Sequence, residues 1–379
     1  MTDWRRRLLA IALCWPANAG AQASSPSEAL TLEQKGDLEH AARVWQALTE
    51  QNPRDAGAFA SLGVVLSKEQ KYPEAASAYK KALALNPKLP GIQLNLGLAE
   101  FKQGRFEAAV APLCAALAVD PNNLQARTLL GLSYYGTKRF AEASKHLELA
   151  ANSDPANTEL RQVLAQSCLW AKKYSCALDQ FRQILEQNPD SAAAHVLTGE
   201  ALDGLGRTPE AIVEFQAAAK AAPAEANVNF GLGYLYWKLL QYDDAKPAFE
   251  SALSVDPEHA QALAYLGDIE LKRNDLERAV TLLKKAVQLK DDMRIAYADL
   301  GAIYREQKHY KDALAALQRA VKLDPAQPDT HFQLGRLYQA MGNRAAAQQE
   351  FSKVRELHKK ADDDLLEKMS GSQIGRAHV

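Results

Sequence analysis

Cys168 and Cys176 are the first residues to suggest chemistry: two thiols eight positions apart. In an oxidising compartment such a pair can close a disulfide; otherwise both can sit as buried thiols, acting as small apolar side chains. The Cα separation decides between the two, and a sequence does not give it. A bridge over so short a loop would contribute about 2–3 kcal/mol at most. Four cysteines in all are too few for a disulfide-built fold. Catalysis elsewhere would need a nucleophile, a base and an orienting group brought together. The eight histidines are His40, His146, His195, His259, His309, His331, His358 and His378. No two stand three or four positions apart, the spacing that sets metal ligands on one helix face. The chain has no GxxxxGK[ST] phosphate loop and no GxSxG elbow. Gly231-Leu232-Gly233 is a lone fragment inside a helical pattern, and Asp362–Asp364 reads as a solvated helix start, where carboxylates favour the dipole. We therefore expect no catalytic residue, no cofactor and no metal.

The elements that carry these residues repeat. Residues 226–259 read as two short amphipathic helices joined by a tight turn. Leu232, Tyr236 and Leu239 share one face of the first, and Ala245, Phe249 and Ala252 one face of the second. Gly233 and Ala245 are small, which lets the two helices approach closely. Pro257 stops the second, because the residue before a proline is pushed out of the α region. The pattern recurs every 34 residues. Prolines stand at 53, 87, 121, 155, 189, 223, 257 and 325, with Asp291 on the missing beat. Glycines stand at 63, 97, 131, 199, 233, 267, 301 and 335, with Ala165 on theirs, and alanines run from 41 to 347 without a gap. An aromatic also recurs just before each second helix: Tyr72, Phe106, Phe140, Tyr174, Tyr242 and Tyr310. Its periodicity predicts packing between repeats. Pro112 and Pro247 fall early in second helices and predict local bends.

Composition bounds the rest. A length of 379 would ordinarily suggest two or three domains, but repeats that bury their core between neighbours grow in one dimension. Net charge is −1, which argues against nucleic acid as a partner. After the N-terminus no run of eighteen apolar residues occurs, so no stable membrane insertion is expected once a leader is removed.

Period and helix–turn–helix pattern together resemble the tetratricopeptide repeat, over roughly Gln22–Ala361. The resemblance implies an all-α fold, a right-handed superhelical α-solenoid of about ten helix pairs. Residues 22–55 would form an atypical N-terminal repeat. Residues 56–361 would form nine repeats, starting near 56, 90, 124, 158, 192, 226, 260, 294 and 328. Residues 362–373 would cap the last one, with Leu365, Leu366 and Met369 on one side. The resemblance also implies that first helices line an inner wall where peptides lie. The matching places hold Val64, Leu94, Asn95, Leu98, Phe101, Leu132, Tyr135, Gln166 and Leu169, then Glu200, Asp203, Asn227, Phe230, Tyr234, Trp237, Asp268, Asp299, Arg305 and Arg336. Only Asn95 matches the Lys/Asn/Arg clamp by which some family members grip a terminal carboxylate, so that clamp is absent. The wall begins apolar, turns aromatic and acidic, and ends with arginines. A peptide with apolar anchors and some basic residues suits it, and Tyr135, Tyr234 and Trp237 are its leading candidates. Packing of these side chains against the neighbouring first helix is the alternative.

At the N-terminus, Arg5–Arg7, the apolar run Leu8–Trp15 and Ala19-Gly20-Ala21 have the three-part order of a signal peptide over 1–21, cleaved near Ala21. A frayed helix is the alternative. Export would place the chain in the periplasm or outside the cell. The last six residues, 374–379, look like one reading frame of a sequencing adapter. The functional expectation is a non-enzymatic scaffold or adaptor in envelope assembly, with a protein or peptide partner of unknown identity and self-association open. Alternatives are the repeat arm of an enzyme or of a secretion or glycosylation complex, and a periplasmic holdase chaperone.

Overall fold

A computed structural model describes residues 25–374, with side chains through 364. The expected signal peptide, the apolar face of the expected cap and the suspect tail after 374 lie outside the described side chains. Among the described residues every regular element is an α-helix. Two compact units divide the chain, before and after the bond between Ser167 and Cys168.

In the first unit the helices pair as α1 (Pro26–Gln34) with α2 (Leu38–Gln51), α3 (Ala56–Lys68) with α4 (Tyr72–Leu85), α5 (Ile92–Lys102) with α6 (Phe106–Val119), and α7 (Leu124–Gly136) with α8 (Phe140–Ser153). Helix α9 (Thr158–Trp170) carries the boundary. The second unit continues with α10 (Tyr174–Gln187), α11 (Ala192–Gly204), α12 (Thr208–Ala221), α13 (Ala226–Lys238), α14 (Tyr242–Val255), α15 (Ala260–Lys272), α16 (Leu276–Leu289), α17 (Arg294–Glu306), α18 (Tyr310–Leu323), α19 (Pro328–Ala340) and α20 (Arg344–Ile374). Helices α6 and α14 run through Pro112 and Pro247 without interruption. Helix α20 is a single helix where a repeat helix and a separate cap were expected. The cause is local: the proline beat falls on Lys359, which does not stop a helix.

The period glycine works through a partner in the second helix. A Cβ at Gly233 would lie 2.7 Å from the Phe249 ring, and one at Gly97, Gly131, Gly267 or Gly301 would lie 2.5–2.7 Å from Leu113, Leu147, Leu283 or Leu317. These large partners are fully buried. Each is worth about 1.5–3 kcal/mol by its burial, so the missing side chain on one helix makes room for the core of the other. The close partner of Gly233 is thus the Phe249 side chain, sixteen residues on, rather than Ala245. The recurring aromatic reaches the next repeat: a Cβ at Gly136 would strike Phe106, and one at Gly204 would strike Tyr174.

The turn inside each pair has a fixed backbone. Gly36, Gly104, Gly206 and Gly342 take positive φ there, and so do the non-glycine residues Gln70, Lys138, Lys172, Leu240, Asn274 and Lys308. The next residue's N–H bonds back to the last helical turn, as in Arg105 N–H to Glu100 O at 3.0 Å and Gln241 N–H to Tyr236 O at 2.9 Å. This is the left-handed cap that ends a helix on its own carbonyls. The loops between pairs are latched at their proline carbonyls. Arg161 donates to Pro155 O at 3.1 Å, His195 Nε2 meets Pro189 O at 2.9 Å, Asn229 donates to Pro223 O at 3.1 Å, and Lys285 donates to Pro257 O at 2.8 Å. Period proline therefore stops one helix and offers an acceptor to a neighbouring one.

Candidate functional site

In the first unit the expected wall residues divide by chemistry. Val64 packs beside the core around Tyr79 and Leu96. Leu98 and Leu132 are half-buried. Phe101 meets Phe106 edge-on, ring centroids 5.3 Å apart, and Tyr135 meets Phe140 at 6.0 Å. Tyr135 also donates its hydroxyl to Gln166 Oε1 at 2.7 Å, from α7 to α9. Burial raises the Tyr135 hydroxyl pKa above its usual value, so it stays a donor at neutral pH.

In the second unit Leu169, expected on the open wall, is buried with 6% exposure. An aliphatic side chain has no polar tip to hold it at a surface, so it turns into the core. Cys168 and Cys176 are bonded to each other, Cα atoms 5.8 Å apart, across the turn between α9 and α10.

Helix α13 carries the densest part of the wall. Phe230, Tyr234 and Trp237 stand one turn apart, half-buried, with Tyr234 stacked between the other two at 6.3 and 6.1 Å. Tyr265 of α15 stands edge-on to Tyr234 at 5.4 Å and to Trp237 at 4.8 Å. Burial, then the Tyr234 hydroxyl, pushes the Tyr265 hydroxyl up to about 12. Phe230 lies 4.9 Å from the His259 ring. His259 caps α15 by accepting Ala262 N–H at 3.2 Å, and its Nε2 meets Asn227 Oδ1 at 3.1 Å.

Beneath these rings is a charged pair. Asp268, expected on the wall, is only 2% exposed. Trp237 Nε1 donates to its Oδ2 at 2.6 Å, and Lys272 Nζ to its Oδ1 at 2.7 Å. The carboxylate is buried because two donors replace its water. Burial works against the Lys272 charge, and the Asp268 bond outweighs it, leaving its pKa raised. Asp299 of α17 faces Asp268 with a buried Oδ2 that meets no donor from another residue type. Burial first, then the Asp268 charge, lifts the Asp299 carboxyl well above its usual range, against the pull of Lys272 and Arg294. A protonated Asp299 can donate to Asp268, which gives the orphaned oxygen its partner.

An open cavity of ≈ 320 Å³ lies beside the aromatic run, between α11 and α13. Glu200, Asp203, Asn227, Phe230, Gly231 and Tyr234 border it. Asp203 is occupied by Lys238 Nζ at 2.7 Å and by the Thr208 hydroxyl at 2.7 Å. Further on, Arg305 donates to Gln333 Oε1 at 2.5 Å. Burial and neighbouring Arg336 hold the Arg305 pKa below its usual value, while Arg336 itself is exposed. Tyr265 and His259 were missed in the sequence. The period could have found Tyr265, which shares its beat with Asn95 and Asp299.

Among the described residues no group of three or more His, Cys, Asp or Glu side chains is placed to hold a metal ion. No helix among them is long and apolar enough to cross a membrane. What the arrangement offers is a wall of rings, paired charges and a cavity, built for contact.

Stacked helix pairs of this kind define a repeat protein. Tetratricopeptide-repeat models match residues 67–104, 100–167, 171–226, 230–294, 301–342 and 329–361. The chain belongs to the tetratricopeptide repeat family, whose members bind protein partners. Of solved structures, the APC/C hetero-tetramer Cut9–Hcn1 is 16% identical, with 87% of this chain and 79% of that chain covered and a TM-score of 0.51. It shows the fold. MamA from Desulfovibrio magneticus RS-1 is 25% identical over 46% of this chain and 98% of that one, TM-score 0.39. YrrB, described as a TPR protein with an unusual peptide-binding site, is 22% identical over 50% and 97%, TM-score 0.38. No curated protein matches the chain. The matched models indicate no catalytic family.

Proposed function

We propose that this chain is an exported, non-enzymatic scaffold that holds a protein or peptide partner against its first helices during envelope assembly. The observation that carries the reading is the run Phe230, Tyr234 and Trp237 on one face of α13, half-exposed beside an open cavity. Rings already fixed by their neighbours can bind a partner with little further loss of freedom, and aromatic anchors dominate the energetics of interfaces. Leu98, Phe101 and Tyr135 extend the same reading to the first unit; Arg305 and Arg336 give the far end a basic character. Export is supported by the Arg5–Ala21 pattern and by the Cys168–Cys176 bond, since disulfides persist in oxidising compartments.

The test places a photoreactive residue at Tyr234 and irradiates the protein in envelope extract. One discrete heterologous adduct supports the scaffold. A smear of many clients favours a holdase, and an adduct of twice the chain mass means self-association. N-terminal sequencing checks export: a mature chain beginning at Gln22 supports it, and retention of Met1 in the cytosol refutes it.

A further inference from the structure

The cavity between α11 and α13 is bordered by a residue with no side chain. Gly231 stands on the beat that carries Tyr265 in the next repeat and Asp299 in the one after. With no side chain there, the Phe215 ring comes up from α12: a Cβ at Gly231 would lie 2.3 Å from it. The result is a recess with an aromatic floor instead of a filled wall. Phe230 and Tyr234 form one side of it.

Its polar groups are unequal. Asp203 is held by Lys238 and Thr208, and Asn227 by His259. Glu200, on the α11 side, has no such partner. It is exposed at the rim, yet the surrounding wall withdraws enough water to raise its carboxyl pKa. One uncompensated carboxylate bordering the same recess as two aromatic rings is an environment that attracts a cation, by charge and through the ring quadrupole.

We infer that this recess is the specificity pocket of the scaffold and takes a single arginine or lysine side chain of the partner segment, with Glu200 as its counter-ion and Phe230 and Tyr234 as its ring faces. The inference rests on the scaffold reading and names what that wall selects. An anionic or purely aliphatic residue would leave Glu200 repelled or stripped of water without recompense. The flat guanidinium suits the slot better than an ammonium, because it stacks on rings while donating to the carboxylate.

The experiment titrates the full chain with two capped pentapeptides, Ac-Gly-Leu-Arg-Leu-Gly-NH2 and the same peptide with citrulline in place of arginine. Citrulline keeps shape and hydrogen bonding and loses the charge. Chemical-shift or fluorescence changes at Tyr234 and Trp237 report occupancy. Arginine peptide should bind about tenfold more tightly than citrulline peptide. Glu200→Gln should abolish that preference, and Val196→Phe, which fills the recess, should weaken both. Equal binding of the two peptides to the unaltered chain overturns the inference and leaves the scaffold reading standing. A preference that survives Glu200→Gln overturns it as well. Failure of both peptides to bind overturns the inference; if the photoreactive residue at Tyr234 also captures nothing, the scaffold reading falls with it.

Discussion

Trp237 and Asp268 are joined by a 2.6 Å hydrogen bond from the indole N–H of α13 to the carboxylate of α15. The bond makes Trp237 a tie between repeats as well as part of the wall. Tyr135 and Gln166 make the equivalent bond in the first unit, 31 residues apart like the other pair. The two roles separate by mutation. Trp237→Phe keeps a ring and removes the donor, leaving a buried charge one partner short, at a cost of about 1–3 kcal/mol. Tyr234→Phe leaves the packing alone and should change stability by less than about 0.5 kcal/mol. Urea unfolding of both variants checks this, and equal midpoints would mean the indole bond contributes nothing. Because of the bond to Asp268, Trp237→Ala would lower stability as well as strip the wall, so it does not isolate binding.

Asp299 should give the second unit a pH-dependent stability. Its folded value lies above its unfolded one, so its stabilising contribution is full below about pH 4 and is lost as pH rises through the folded value. Asn at this position keeps a donor toward Asp268 and cannot ionise. Melting curves from acid to mildly alkaline pH should therefore fall more steeply for the native chain than for Asp299→Asn, with the variant the more stable at the alkaline end. Lys272, whose pKa is raised, does not titrate in that window and does not mimic the effect. Parallel profiles for the two proteins would refute the Asp268–Asp299 account.

Close packing at the period glycine predicts a cost with a rescue. Gly233→Ala brings its Cβ to 2.7 Å from the Phe249 ring, so the ring must move or the helices part. Overpacking of this kind costs about 1–3 kcal/mol; Gly233→Leu should unfold the pair locally. Ala165 occupies the same beat and is fully buried, so one extra methyl is tolerable where the partner yields. In a Phe249→Ala background, where the ring that the Cβ meets is gone, Gly233→Ala should cost almost nothing beyond the cavity that Phe249→Ala itself leaves. A cost that persists in that background would show that backbone approach, not the ring, sets the limit.

The fold was legible because three independent registers shared one period, and each has a physical office: a proline that stops a helix, a glycine that admits a large side chain, an alanine on the facing helix. Wall chemistry was legible only in part. Period placed Tyr234 and Trp237 on first helices, but not the Asp268 carboxylate under Trp237, because a pairing between helices depends on rotamers that a sequence does not fix. Leu169 was misplaced for the same reason: its register is that of Tyr135 and Trp237, and only the polar tips of those two draw them to the surface. The recess at Gly231 escaped notice because a missing side chain reads as a weak motif, Gly231-Leu232-Gly233, until the neighbouring ring is seen to lean into the gap.

Leu240 gives the last test, at the turn between α13 and α14. It takes φ +60° there, and its side chain is 69% exposed, so strain is not repaid by packing. A left-handed conformation costs an ordinary residue roughly 1–2 kcal/mol, while glycine and asparagine adopt it readily. Leu240→Asn should therefore stabilise the second unit by about 1 kcal/mol, with no change in any core contact. Gly206, at the same place one repeat earlier, between α11 and α12, takes φ +75°. Gly206→Ala should move stability by a similar amount in the opposite direction, since its Cβ meets open space and only the backbone objects. The pair of variants is a controlled comparison, because neither side chain touches a core. Opposite shifts in the urea midpoint follow if the left-handed turn is a source of strain, and shifts of one sign would show that the turn relaxes around whatever residue it is given.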